Sequence, residues 1–337
     1  MHTLFEKTTS IIITNYNFYW NNPIINKYFK TNAMNDFEGT LILRKKEKPV
    51  WISHPFNYTQ AKKEFGKSLI ITNYEKSGDF EKIVKKYCGK KIGYDAKFTS
   101  VSGLKNLKKI LKGKTLIDVS KELGESRTIK TSEEILKIKK AVTETKKVID
   151  LAKMKLKNGI TEKEIEQFFR NKFEQDGFQT AFCIVAFNQN TKNLHHVSGK
   201  KKLTSGEVLF DVGAKYKGYT ADISESLWFG KTKSKRKTDY ERELQFVKNK
   251  LEIIKNQMKP GVVVKKLFEL CTGLNMPHAL GHGIGLEEHD YPNAIGGKSN
   301  WKLREGMVLA IEPGTYDKFG IRIERNYLIT KNGVREL

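Results

Sequence analysis

Over its first 125 residues the chain alternates short apolar runs with stretches of helical spacing. Leu41–Leu43 and Val50–Ser53 read as strands on either side of the charged turn KKEK, and Leu69–Thr72 and Lys91–Tyr94 read as two more. Val101–Leu111 sets Leu104, Leu107 and Leu111 on one helical stripe. Gly124–Lys130 (GESRTIK) carries no such period and reads as a linker. Thr131-x-x-Glu134 then forms a capping box that opens a helix with Ile135, Ile138 and Val142 on one face. The pattern predicts a small α/β domain over residues 1–125 and a second domain over 126–337.

The second domain repeats itself weakly. KNGITEKEIEQFF from Lys157 recurs as KPGVVVKKLFEL from Lys259, matching Gly159 with Gly261, Ile165 with Leu267 and Phe168 with Leu270. Each copy follows a long amphipathic stretch, which predicts a duplicated unit, a pseudo-twofold fold and a cleft between the halves. Two hairpins are expected. Val208–Gly213 and Tyr219–Ile223 flank a turn ending at Gly218. A four-residue loop from Lys215 to Gly218 sets Ala214 opposite Tyr219, and Asp211 opposite Asp222 with Cβ atoms about 5 Å apart. The second hairpin pairs Met307–Glu312 with Ile321–Thr330, with Arg322 and Glu324 on one face and Ile321 and Ile323 on the other.

At 337 residues and 38% hydrophobic content the chain is long and apolar enough for a folded core. No apolar run approaches the ~20 residues of a membrane span. The N-terminal MHTLFEKTTSIIITNYNF lacks the pattern of a secretory signal. Cys88, Cys183 and Cys271 are odd in number with no CxxC pairing, and read as buried reduced thiols of a cytoplasmic protein. The net charge of +24 comes from lysines spread along the chain. The densest runs, Lys200–Lys202 and Lys231–Lys237, read as solvated loops without the interleaved aromatics of a single-strand platform. Nucleic acid is therefore expected to bind only nonspecifically.

Four acids and a histidine carry the candidate chemistry. Asp211 and Asp222 lie in LFDVGAKYKGYTADIS, His282 in HALGHGIGLEEHDYP, Glu312 in AIEPG and Glu324 in IRIE. Hard oxygen donors with one nitrogen suit a pair of divalent cations sharing a water. Without positive charge among them, four buried carboxylates would repel one another and lose their ionisation.

These motifs resemble the pita-bread metallopeptidases, above all Xaa-Pro dipeptidase (prolidase) and aminopeptidase P. The resemblance rests on Asp211-x-Gly213, Asp222, Gly281-His282-Gly283-Ile284-Gly285, Glu312-Pro313-Gly314 and Arg322-Ile323-Glu324. It implies an α+β chain: a C-terminal pita-bread (creatinase/aminopeptidase-like) fold with a pseudo-twofold repeat, preceded by a smaller α/β domain. It implies Asp211, Asp222, His282, Glu312 and Glu324 as ligands of two divalent ions, with Mn, Co, Zn and Fe all compatible. The implied reaction is hydrolysis of Xaa-Pro bonds by a hydroxide bridging the two ions, with Glu312 moving the proton and His289 on the substrate side. His195, His278 and Arg322 are implied to face the substrate, with His196 competing for the place of His195. A homodimer is implied as well. Aminopeptidase P acting on longer peptides is the alternative to a dipeptidase, and a metal-free binding module is the alternative class.

The chain departs from the family at three places. Ser224-Glu225 stands where Thr-Arg is frequent, and Arg325 stands where an acid is frequent. These two changes suggest an ion pair between Glu225 and Arg325, reversed in polarity, the alternative being two independent surface residues of a Lys-rich chain. The short gap TYDKFGIRI between Glu312 and Glu324 argues against methionine aminopeptidase.

Overall fold

The structure, a computed structural model, describes residues 3–15, 22–29, 38–231 and 233–337. Met1, His2 and residues 16–18 of the N-terminal segment, and Thr232 of the basic run, lie outside the described residues. The chain divides into two compact units, Met1–Ser126 and Arg127–Leu337.

The first unit is a six-stranded sheet with helices on both faces. Its elements are β1 (Ser10–Asn15), α1 (Pro23–Phe29), β2 (Gly39–Arg44), β3 (Val50–Ser53), α2 (Tyr58–Phe65), β4 (Ile70–Asn73), α3 (Ser77–Tyr87), β5 (Lys91–Tyr94), α4 (Val101–Ile110), β6 (Thr115–Asp118) and α5 (Ser120–Glu125). The strand order is β4-β3-β2-β1-β5-β6. Continuous apolar runs form its strands because both faces are covered. Ile11, Ile13, Leu41 and Leu43 pack with residues of α1, α2 and α5, while Ile12, Ile42, Val50 and Ile52 pack with α3 and α4. Gly124 and Glu125, expected in the linker, instead belong to α5.

The second unit begins with α6 (Ser132–Lys155), whose capping box is formed by Thr131 and Glu134. It continues with α7 (Glu162–Gln175), β7 (Gln179–Phe187), β8 (Gly206–Tyr216), β9 (Tyr219–Thr220), β10 (Ile223–Phe229), α8 (Lys235–Gln257), α9 (Val264–Glu269), β11 (Gly281–Gly283), β12 (Val308–Ile311), β13 (Gly314–Thr315), β14 (Ile321–Arg322), β15 (Arg325–Thr330) and β16 (Gly333–Glu336). Lys235–Lys237, expected in a loop, form the first turn of α8. The repeat is real at the level of hydrogen bonds. Gly159 and Gly261 both take positive φ (83° and 89°). Gly159 N donates to Leu203 O at 2.7 Å, and Gly261 N donates to Leu303 O at 2.9 Å. Bridges Thr161↔Lys202 and Val263↔Lys302 follow in each copy. Ile165 and Leu267 are buried, whereas Phe168 and Leu270 are half-buried against the two cores. The result is the pseudo-twofold α+β arrangement expected: β10-β8-β7 with its helices in one half, β11-β12-β15-β16 in the other.

The first hairpin differs from expectation. Lys215 pairs with Thr220 and Tyr216 with Tyr219, so the loop is only Lys217-Gly218. Both loop residues take positive φ, 47° and 85°. This is the geometry whose twist matches antiparallel strands. The register therefore slips by two, and Asp211 lies opposite Ser224 rather than Asp222. A two-residue slip preserves the face, so both aspartates still point the same way. In the second hairpin Val308–Ile311 pairs with Arg325–Leu328, and Gly314 pairs with Arg322 in the same register.

The two halves are stitched together beside the acids. Glu324 N donates to Ser224 O at 3.1 Å. The Asn326 amide clasps the backbone of Asp222, accepting from its N at 3.0 Å and donating to its O at 2.6 Å. Ser226 Oγ donates to Arg322 O and accepts from Arg322 N, both at 3.0 Å. Gly281 permits close packing of β11 on β12, since a Cβ there would lie 2.1 Å from Ala310 O.

Candidate metal centre

The stitched edges deliver candidate ligands from both halves to one cavity of about 460 Å³. Asp211 comes from within β8, Asp222 from the break between β9 and β10, and His282 from β11. Glu312 follows β12, and Glu324 sits between β14 and β15. Asp211, Asp222, His282 and Glu324 are buried. Donor atoms of Asp211, Asp222 and Glu324 lie within 4.8 Å of one another, as do those of His282, Glu312 and Glu324. Glu324 belongs to both groups. A third group joins Asp222, His282 and His289.

His282 is oriented for ligation. Its Nδ1 lies 3.1 Å from Gly283 O, an acceptor only, which puts the ring proton on Nδ1. Nε2 then offers its lone pair to a space bounded by Asp222 Oδ2 at 3.5 Å, Glu312 Oε1 at 3.8 Å and Glu324 Oε1 at 3.9 Å. Burial, then His289, pulls the pKa of His282 down to about 4, so the ring is neutral. Glu324 Oε1 is buried with no hydrogen-bond partner among the described residues. Burial, then Asp211, pushes the Glu324 carboxyl up to about 7. Burial, then Glu324, holds Asp222 and Glu312 well above the usual carboxylate range. An orphaned carboxylate oxygen, an imidazole lone pair and carboxyls forced toward protonation are what a cation at this point would relieve. The residues fit divalent ions.

A hydrogen-bonded shell holds this set in place. Arg322 pairs through Nη2 with Asp211, donates Nε–H to Ser224 Oγ at 2.9 Å and Nη1–H to Tyr316 Oη at 3.1 Å. Burial works against the charge on Arg322, but Asp211, Tyr316, Glu312 and Glu324 together outweigh it and keep the guanidinium ionised. Ser224 Oγ lies 2.8 Å from Asp211 Oδ1 and 2.9 Å from Glu324 Oε2, so its single proton serves one of them at a time. His278 Nδ1–H donates to Ala279 O at 2.7 Å, which leaves Nε2 to accept from Tyr316 Oη at 3.1 Å. Burial lowers the pKa of His278 to about 4, in keeping with a neutral ring.

The remaining sequence candidates also line the cavity. His289 is exposed to it, its ring 4.1 Å from that of His282. Burial, then His195, lowers its pKa. His195 lines the wall, whereas His196 turns away and places Nε2 2.8 Å from Glu162 Oε2. Glu225 and Arg325 do pair, at 2.6 Å. Of the three thiols, all free, Cys88 and Cys271 are buried as expected, but Cys183 is only half-buried.

Four contributors escaped the sequence reading: Tyr316, Asn326, Glu162 and Glu288. Asn326, a polar residue inside an apolar strand, carried the one usable signal. Glu288 sits beside His289 on the cavity wall, and burial, then Asp211, pushes its carboxyl up to about 7 against the pull of Lys215.

Residues 136–331 match metallopeptidase family M24, and residues 10–129 match the creatinase/prolidase N-terminal domain. An uncharacterized peptidase of Staphylococcus epidermidis is 32% identical over 306 residues, spanning 87% of this chain and 85% of its own. The prolidase from Pyrococcus furiosus superposes with a TM-score of 0.83 at 27% identity, covering 98% of this chain and 96% of its own. The X-Pro aminopeptidase from Thermotoga maritima MSB8 gives 0.86 at 24% identity over 98% and 95%, a likeness that speaks for the fold alone. Its acids and histidine thus stand in a matched frame, and the chain belongs to metallopeptidase family M24, whose members use divalent metals.

Proposed function

We propose that this metallopeptidase is an Xaa-Pro dipeptidase working with two divalent ions. The observation that carries the reading is the pair of donor groups sharing Glu324 at the wall of one cavity. Asp211, Asp222 and Glu324 would hold one ion, and His282, Glu312 and Glu324 the other. When bound, such ions supply Lewis acidity and acidify a shared water. Glu312 carries the proton from the nucleophile toward the leaving nitrogen, which in a prolyl bond must be protonated as it departs. His289 and His195, open to the cavity, contact the substrate around the scissile bond. Arg322 is engaged by Asp211, Ser224 and Tyr316, so its role here is to hold a ligand carboxylate in place and balance its charge. Assembly as a homodimer and residence in the cytoplasm belong to the same proposal; three free thiols fit a reducing compartment.

The test is to strip the protein of metal, restore Mn²⁺ or Co²⁺, and compare Xaa-Pro dipeptides with longer Xaa-Pro peptides. Activity should return with metal and favour dipeptides by about tenfold or more. Asp222→Asn and Glu324→Gln, which keep shape and remove ligand charge, should each lose more than about a hundredfold. Near-normal turnover of either variant at limiting metal would falsify the two-ion reading. A preference for longer peptides would move the assignment to an aminopeptidase P.

A further inference from the structure

The cavity wall holds two carboxylates that the metal assignment leaves over, Asp290 and Glu288. Asp211, Asp222, Glu312 and Glu324 all enter the three donor groups. Asp290 also lines the wall, but it is buried and fully engaged. It accepts from Leu286 N at 3.1 Å and Tyr291 N at 2.7 Å, with Arg127 at 3.4 Å and Lys130 at 3.8 Å. Glu288 differs from all of these. It is half-buried on the same wall, yet it belongs to none of the three donor groups. Its side chain has no hydrogen bond or ion pair among the described residues. Lys215 acts on it electrostatically without coming within ion-pair distance.

A half-buried carboxylate without a partner is unfavourable in the free protein. A partner that relieves it arrives through the cavity and is cationic. The wall of the same cavity supplies what a long cation needs. Phe182, Ile184 and Leu194 are apolar and line the same space, so an aliphatic stem can lie along them while its charged end reaches a carboxylate.

We propose that Glu288 is a specificity residue that pairs with a cationic group of the peptide substrate, an ammonium or a guanidinium. This rests on the peptidase reading above. The cation has two possible sources: a Lys or Arg side chain on the residue before the scissile bond, or the substrate's free α-amine.

The experiment uses the metal-loaded enzyme, wild type and Glu288→Gln, on Lys-Pro, Nε-acetyl-Lys-Pro, Leu-Pro and an analogue of Leu-Pro with the α-amine replaced by hydroxyl. Metal content is measured alongside and should be equal in both proteins. If the side chain is the source, wild type prefers Lys-Pro over its acetylated form by about tenfold in kcat/KM, and the variant loses that preference. Glu288→Lys should then shift preference toward Asp-Pro. If the α-amine is the source, Glu288→Gln lowers kcat/KM on all three amino-terminated dipeptides by about tenfold and leaves the hydroxyl analogue unaffected. Equal kinetics of wild type and Glu288→Gln on every substrate would overturn the proposal, and so would a uniform loss that includes the hydroxyl analogue. Lys-Ala and Nε-acetyl-Lys-Ala separate the two levels of inference. Cleavage of these without cleavage of Lys-Pro defeats the prolyl reading, while their ratio still tests Glu288. If no peptide is cleaved, the peptidase reading fails. Calorimetric titration with Lys-Pro then decides: about tenfold weaker binding by Glu288→Gln supports the pairing, and equal binding refutes it.

Discussion

Glu225 and Arg325 meet at 2.6 Å with side chains 15% and 21% exposed, between the regimes in which ion pairs are worthless and indispensable. Arg325 Nη1 is also held by Ser224 O at 3.0 Å and Glu324 O at 2.8 Å, so the guanidinium is fixed before it pairs. Lys153 stands 3.7 Å from the other oxygen of Glu225 and takes over part of the compensation if Arg325 is removed. We expect a coupling of about 1–2 kcal/mol in a urea-denaturation cycle of Glu225→Gln and Arg325→Met. Strictly additive losses would refute it. This pair was legible in the sequence because Arg325 directly follows one candidate ligand, Glu225 lies three residues after another, and both reverse the charge common in the family. Tyr316 was not. Nothing in PGTYDK shows that its hydroxyl joins Arg322, six positions on, to His278, 38 positions back. Such a role exists only once the β13–β14 turn and the approach to β11 have formed.

At the scale of elements, the β7–β8 connection is organised by one carboxylate at the start of α7. Glu162 is fully buried and accepts from Phe187 N at 2.8 Å, Asn190 Nδ2 at 2.8 Å and Gly199 N at 3.1 Å, with His196 Nε2 at 2.8 Å. The segment it gathers carries His195 to the cavity wall. Glu162→Ala leaves one buried and three half-buried polar groups without their acceptor, and should cost about 3 kcal/mol in a urea melt. Glu162→Gln keeps an acceptor oxygen and should cost about half as much. Under folding conditions Glu162→Ala should also lose about tenfold in kcat/KM with metal content retained. Loss of stability with unaltered kinetics would show that this segment does not set His195. In the sequence Glu162 is merely an acid in a helix's first turn, without even the capping-box spacing that marks Glu164, because its partners are contributed by a loop of no period. Four of the six strands of the first sheet and the repeat were readable from period and Gly placement, whereas Ser10–Asn15 and Thr115–Asp118 were not. The Asp211 register was not, since it depended on Lys217 accepting a left-handed conformation that favours glycine or asparagine.

For the whole molecule, gathering the acids of two halves into one cavity makes stability depend on protons and metal together. In the metal-free protein Glu324 titrates near 7, and Asp222 and Glu312 are also raised, all three first by burial. A carboxyl with a raised folded-state pKa binds more protons folded than unfolded. Its contribution is therefore complete below the unfolded value near 4.5 and disappears as pH rises through the folded one. His282 and His278, lowered to about 4 by burial, act in the opposite sense: their contribution is present above about 6.5 and is lost as pH falls toward 4. The two sets oppose one another between about 4.5 and 6.5, and above that only the carboxyls still titrate. Metal-free protein should therefore lose Tm as pH rises from about 6.5 to 8, by about 2–4 °C for each kcal/mol. Saturating Mn²⁺ supplies the charge that the acids lack and should flatten this slope, raising Tm more at pH 8 than at pH 6.5. Glu324→Gln should flatten the metal-free slope in part and weaken the response to Mn²⁺. Calorimetric scans of both proteins at the two pH values, with and without metal, decide the matter. A metal-free Tm that climbs steadily to pH 8 would mean that these acids are compensated within the chain, and that the cavity does not depend on a cation for its charge balance.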